Sequence, residues 1–232
     1  MHTAQDLALA ANRVRGEFGL PELDVERVSR FVGQGTGLLV HRALTDDVHG
    51  RLDDDSLRRA KAAFERHYRE VNGSQSLVFE RVPEALLLVR EAGLLVGCVT
   101  NQPRAFALAL LEGAPLLPQL DVVVAGDDVA RRKPHPDVIL EACARLHAVS
   151  GAAILIGDSA NDAQAAQAAG CPVVLVETGY NEGESVHGLA GEPGVGGIFP
   201  SLLDAARGVI PSALVSAPKQ ESPASPLRSA LP

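Results

Sequence analysis

From residue 83 to residue 178 the chain alternates short β-rich runs with helical stretches, and no other feature restricts its fold so tightly. A helix over Pro83 to Glu91 is followed by "LLVGCVT", the helix "PRAFALALLEG", "DVVVAG", the helix "PDVILEACARL", "AAILIGD", the helix "NDAQAAQAAG" and "PVVLVET". Strands separated by helices must run parallel, because each crossover returns the chain to the same end of the sheet. The expected fold class is therefore α/β, a doubly wound parallel sheet whose ligands collect at the carboxyl ends of the strands.

Residues 1–80 carry a different pattern. Leu7, Ala10, Ala11 and Val14 share one helical face, and "DDSLRRAKAAFERHYREV" is a long charged amphipathic helix. Between them "FVGQGTGLLVHRAL" turns through glycines into another helix. The expected organisation is an all-helical module with its linker over 1–80, an α/β core over 81–210, and a disordered tail over 211–232, where Pro, Ser and Ala dominate.

With 232 residues, 46% of them apolar, a sizeable core can be buried. The formal net charge of −8 and an aromatic content of 3% leave neither the basic patch nor the stacking platform of a nucleic-acid binder. An anionic ligand would need local cations or a metal against that field. Cys98, Cys143 and Cys171 lack metal-ligand spacing and read as reduced core residues. Neither a signal peptide nor a membrane-spanning run is present, so a cytoplasmic protein with a small-molecule partner is expected, as a monomer or homodimer.

Three segments at strand ends carry chemistry. "GDSAND" places Asp158 where a strand ends and Asp162 one helical turn later, an oxygen-rich corner suited to Mg²⁺. Taken singly, Asp162 is equally a first-turn acid and Asp158 or Ser159 a helix cap. "RRKPHPD" fixes Lys133 beside two prolines, where it could neutralise a phosphoryl group or a carboxylate, or simply be a solvated loop lysine. "VTNQP" offers Thr100, Asn101 and free backbone N–H groups to phosphate oxygens, or an ordinary helix cap.

In this order on one sheet edge, the segments resemble motifs II, III and IV of the haloacid dehalogenase (HAD) superfamily. "AANRV", "FVGQGTGLLVHRAL" and "ETGYNEG" are similar to its phosphoglycolate phosphatase-like members, and the helical module resembles the C1-type cap. The resemblance covers roughly residues 3 to 208. It implies a Mg²⁺-dependent hydrolysis of a small phosphorylated metabolite, 2-phosphoglycolate above all, through an aspartyl phosphate. Thr100 and Asn101 would hold phosphate oxygens, Lys133 would steady phosphate and nucleophile, and Asp158 with Asp162 would hold the metal or its water shell. Gly33, Gly35 and Arg42 of the cap would read the glycolate end.

The family's attacking Asp lies in a "DxDGT" pattern on the first strand, and residues 1–232 contain no such pattern. The resemblance places that strand ahead of "MHTAQDL", between the strands ending at Thr100 and Asp158. The expectation is a chain that starts at an internal methionine of a longer protein, with the first core strand absent and two sheet edges left unpaired. Other C1-capped phosphatases, acting on sugar phosphates or nucleotides, and a phosphate- or Mg²⁺-binding chain without turnover are the alternatives. A serine hydrolase built on Ser159 lacks an Asp-x-x-His base after it, and "GQGTG" lies between helices rather than after a strand, against a dinucleotide site.

Overall fold

The computed structural model describes residues 1–216. Four helices come first: α1 (Ala4–Glu17), α2 (Val25–Ser29), α3 (Thr36–Thr45) and α4 (Asp54–Val71). Asp24 caps α2 by accepting from Arg27 N, and Asp53 caps α4 by accepting from Ser56 N. Their apolar faces meet in one cluster that includes Val14, Val28, Phe31, Phe64 and Tyr68. Burying each of these large side chains contributes about 1.5–3 kcal/mol. Phe106, from the α/β half, joins the same cluster and meets the Tyr68 ring edge-on, with centroids 4.9 Å apart. The two halves are thus packed together by side chains as well as joined by the backbone.

The α/β half runs α5 (Val82–Glu91), β1 (Gly97–Val99), α6 (Arg104–Gly113), β2 (Val122–Val124), α7 (Asp137–Arg145), β3 (Leu155–Gly157), α8 (Ala160–Ala169), β4 (Val173–Val176), β5 (Val195–Phe199) and α9 (Leu202–Ser216). Every strand pair is parallel: β1 with β2, β3 with β4, and β4 with β5. The fold is α/β, with helices against parallel strands, as the alternating sequence pattern implied. Val124, Val138, Ala165, Val173 and Leu175 form the core between sheet and helices, while α5 and α9 pack together through Ala85, Leu203 and Ala206.

The strands fall into two sheets, β1-β2 and β3-β4-β5, and among the described residues no strand lies between β1 and β3. Just beyond β1, Thr100 N donates to Val124 O, so the neighbouring Val99 carbonyl points away from β2. The Lys133 ammonium meets that carbonyl at 3.2 Å.

Two expectations need correction. Residues Pro211 to Ser216, expected to be disordered, continue α9 with Pro211 inside the helix. A helix already formed over Leu202 to Ile210 extends at one hydrogen bond per residue, and a single proline penalises rather than forbids that. The rest of the expected tail, 217–232, lies outside the described residues. Strand β5 was not expected at all, because Gly196 and Gly197 interrupt its apolar run. No described helix is long and apolar enough to cross a membrane.

Candidate active site

A cavity of about 190 Å³ lies between the helical module and the carboxyl ends of β1 and β3. Thr100, Asn101, Lys133, Asp158 and Asp162 line it from the α/β half, and Gly33 and Gly35 from the helical half. Segments distant in sequence thus converge on one space.

Its centre is an ion pair. Lys133 Nζ lies 2.7 Å from Asp162 Oδ1, with side chains 12% and 5% exposed. The other Asp162 oxygen accepts from Ser159 Oγ at 2.7 Å and from Asp158 N at 3.3 Å. Burial opposes the charge on both partners, yet their mutual attraction prevails. It holds the Lys133 ammonium above its ordinary pKa and, with the Ser159 hydroxyl, the Asp162 carboxyl below the ordinary carboxylate value.

Asp158 is in the opposite situation. Burial, and then the negative charge of Asp162, push its carboxyl up to about 6, against the smaller pull of the Tyr180 N–H and Lys133. Tyr180 N donates to its Oδ2 at 2.9 Å. The turn that delivers this N–H runs through Gly179 at φ +142, where a Cβ would sit 1.8 Å from Asp158 Oδ2. Only glycine lets that loop approach the carboxylate so closely.

Thr100 Oγ1 accepts from Gln102 N at 3.1 Å, which leaves its hydroxyl hydrogen for a ligand oxygen. Asn101 lines the cavity but spends its amide on the protein. Its Oδ1 accepts from Lys133 N at 2.8 Å, and its Nδ2 donates to Lys133 O at 2.9 Å and Gly33 O at 3.1 Å. It therefore positions Lys133 and ties the Gly33 turn to the α/β half, rather than presenting a free donor to substrate.

Arg42 does not line the cavity. It is buried, donating to Phe31 O at 3.2 Å, Val48 O at 2.9 Å and Glu182 Oε2 at 2.9 Å, so the expectation that it reads the substrate is corrected. Its place on the α3 face toward the module's interior, three positions after Leu39, accounts for this. Asp162, expected beside a metal, has both oxygens committed to Lys133, Ser159 and the Asp158 N–H. The carboxylate left for a cation is Asp158.

Sequence reasoning missed several residues. Tyr68 and Gln102 line the cavity and bond to each other, Nε2 to hydroxyl, at 2.9 Å, while the Tyr180 hydroxyl accepts from Thr3 N and Ala4 N at 3.1 Å each. Ser159 was weighed as a nucleophile or a cap, whereas its hydroxyl serves Asp162. Asp6, fully buried, had no signal beyond one acid in an apolar helix.

The haloacid dehalogenase-like hydrolase family profile matches residues 1–176. Phosphoglycolate phosphatase of Nitrosospira multiformis is 42% identical over 207 residues, covering 89% of each chain. That of Thiobacillus denitrificans is 37% identical over 206 residues, also covering 89% of each. Among solved structures, a predicted phosphoglycolate phosphatase from Haemophilus somnus superposes with a TM-score of 0.78 at 26% identity, over 88% of this chain and 91% of that one. By profile and relatives, the chain belongs to the haloacid dehalogenase-like hydrolases.

Proposed function

We propose that this hydrolase is a Mg²⁺-dependent phosphatase that converts 2-phosphoglycolate to glycolate and phosphate. The observation that carries the reading is the convergence of Thr100, Lys133 and Asp158 on one small cavity roofed by the helical module. The names of the relatives support the choice of ester. With this reading go a cytoplasmic location, a small phosphorylated metabolite as partner, and the C1 cap as the role of residues 1–80.

The residues fit a magnesium ion. Asp158 is a half-buried carboxylate that forms no ion pair closer than 4 Å among the described residues, whereas Asp162 has Lys133. Mg²⁺ is commonly held by one or two carboxylates together with waters and phosphate oxygens, which a single free Asp satisfies. Among the described residues no three His, Cys, Asp or Glu side chains gather into a cage for a metal held by protein alone. When bound, the ion supplies positive charge against the phosphoryl oxygens.

The chain's own groups do the rest. Lys133, the only Lys or Arg among the described residues lining the cavity, faces the phosphoryl group, and Asp162 and Asn101 fix where it stands. The Thr100 hydroxyl donates to a phosphate oxygen. Leu7, Val32 and Leu39 give the cavity an apolar wall from the helical module, facing the charged groups of the α/β half. The attacking carboxylate implied by the family resemblance matches no position in residues 1–232, so no residue here is given that role. That observation favours a second reading, in which this chain binds phosphate and Mg²⁺ without turnover.

Phosphate release by the protein as its own cells produce it, measured with Mg²⁺ over a panel of esters, tests the substrate. The expected result is a kcat/KM for 2-phosphoglycolate at least about tenfold above those for sugar phosphates and nucleotides, a difference of about 1.4 kcal/mol in the transition state. Equal rates across the panel would remove the substrate assignment. Binding without any release would select the second reading.

The raised pKa of Asp158 gives a pH dependence with a definite sign. A carboxyl that ionises only near pH 6 takes its proton back below that pH, and the proton competes with the metal. Mg²⁺ affinity, followed by calorimetric titration, should be level above pH 7 and fall by about tenfold per pH unit well below 6. Affinity unchanged down to pH 4.5 would show that Asp158 is not the ligand.

A further inference from the structure

Glu182 lies in the loop after β4, at φ +54, a left-handed conformation unusual for a residue other than glycine. Its carboxylate joins the two halves of the molecule. Oε2 accepts from Arg42 Nη2 at 2.9 Å, and Oε1 accepts from Gln34 Nε2 at 2.8 Å and from Asn161 Nδ2 at 3.3 Å. Gln34 and Arg42 belong to the helical module, while Asn161 stands in the first turn of α8, immediately before Asp162.

Arg42 is itself anchored within the module by Phe31 O and Val48 O, so it presents a fixed donor to Glu182 rather than a free one. The Arg42 side chain is 7% exposed and that of Glu182 25%, so the pair is largely shielded from solvent. The turn at Gly33 is pressed against the same carboxylate. At φ +155, a Cβ on Gly33 would lie 2.7 Å from Glu182 Oε1 and 3.3 Å from Asn161 Nδ2. Gly33 and Asn161 both line the cavity, and Glu182 does not. Its carboxylate therefore sits directly behind two adjoining parts of the cavity wall, one from each half.

We propose that Glu182 is a positioning residue, the latch that holds the Gly33–Gly35 turn of the helical module closed against the α/β half, so that its release governs the entry and exit of phosphate ligands. The geometry alone supports the latch. Only the consequence for ligand traffic rests on the phosphatase reading above. Because Asn161 adjoins Asp162, the latch also reaches the corner where the phosphate end of the ligand would sit.

Hydrogen exchange read by mass spectrometry, with the full chain free of ligand, tests the latch. Glu182→Gln replaces one acceptor oxygen with an amide that faces donors. It should speed exchange over residues 30–37 by about tenfold while α4 and β4 keep their wild-type rates. Gln34→Ala, at an exposed side chain with little bearing on folding, should speed the same segment by a smaller factor. Unchanged exchange over 30–37 in both variants would overturn the proposal, as would faster exchange spread evenly through α4 and β4.

Stopped-flow binding of inorganic phosphate tests the consequence. A latch predicts that Glu182→Gln raises the association and dissociation rates by similar factors and leaves Kd within about threefold. A weakened Kd at an unchanged association rate would mean that Glu182 serves the ligand rather than the closure, against the proposal. If the wild-type chain bound no phosphate, the phosphatase reading would fail, and the exchange rates would still decide the latch.

Discussion

Replacing Lys133 with Met should lower folding stability by about 3–5 kcal/mol and weaken phosphate binding by about a hundredfold or more. The ammonium is nearly buried and sits 2.7 Å from an equally buried Asp162 carboxylate. Removing one partner of such a pair strands the other charge in a poor solvent, and that penalty exceeds the loss of the contact itself. The contribution of Asp162 to the pH dependence of stability should change sign with the substitution. In the wild type the Asp162 pKa is depressed, so its contribution is present above the ordinary carboxylate value and lost as pH falls through the lower, folded value. Without Lys133, burial, the largest influence on this carboxyl, favours protonation. Asp162 then becomes a group with a raised pKa, and the variant should gain stability as pH falls toward the ordinary carboxylate range. Urea unfolding at pH 8 reads the loss of stability, and the difference between variant and wild type, followed from pH 8 down to pH 3, reads the change in the Asp162 contribution. Adding Asp162→Asn removes the stranded charge, and the double variant should recover most of the stability and none of the phosphate binding. Recovery of both would deny Lys133 a place at the ligand.

Asp6→Ala should lower stability by a similar amount, about 3–6 kcal/mol, although Asp6 does not line the cavity. Its carboxylate, on α1 and fully buried, accepts from Gly73 N, Ser74 Oγ and Gln75 N at 2.9 Å each, from Ser76 N at 3.1 Å and from Ser76 Oγ at 2.5 Å. Hydrogen bonds to a charged group contribute about 1.5–3 kcal/mol, and a buried donor left without a partner costs about 1–3 kcal/mol. The two hydroxyls can turn elsewhere, but the three backbone N–H groups cannot, and they set the estimate. Asp6→Asn keeps one acceptor oxygen and should lose roughly half as much. A midpoint of urea unfolding within error of wild type for Asp6→Ala would show that the 73–76 turn finds other acceptors.

These two residues also mark what could be read from the sequence. Lys133 was legible because its signal is local: two prolines just after it, a preceding strand, and a matching acid pair after another strand. Thr100, Asp158 and the Gly33–Gly35 turn were legible for the same reason, and a parallel sheet brings strand ends together wherever they fall in the chain. Asp6 was not, because its partners lie 67 to 70 positions away and are mostly backbone N–H groups, which carry no residue identity. Arg42 shows the converse failure. A cation near a glycine turn suggested a ligand contact, but its helical face points inward and Glu182 claims it. Asn101 was placed at the cavity correctly and given the wrong task, because sequence cannot show that its amide is already spent on Lys133 and Gly33. Strand β5 escaped because pairing with β4 overrides the weak preference of a Gly-Gly run.

The most direct test of the site is calorimetric titration of 2-phosphoglycolate into this chain, with and without Mg²⁺, beside the Lys133→Met/Asp162→Asn double variant. The expected result is one site in the wild type, at least about tenfold tighter with Mg²⁺, and no measurable binding in the variant. Affinity indifferent to Mg²⁺, or a double variant that binds as the wild type does, would contradict the assignment of this cavity to a phosphate and its metal.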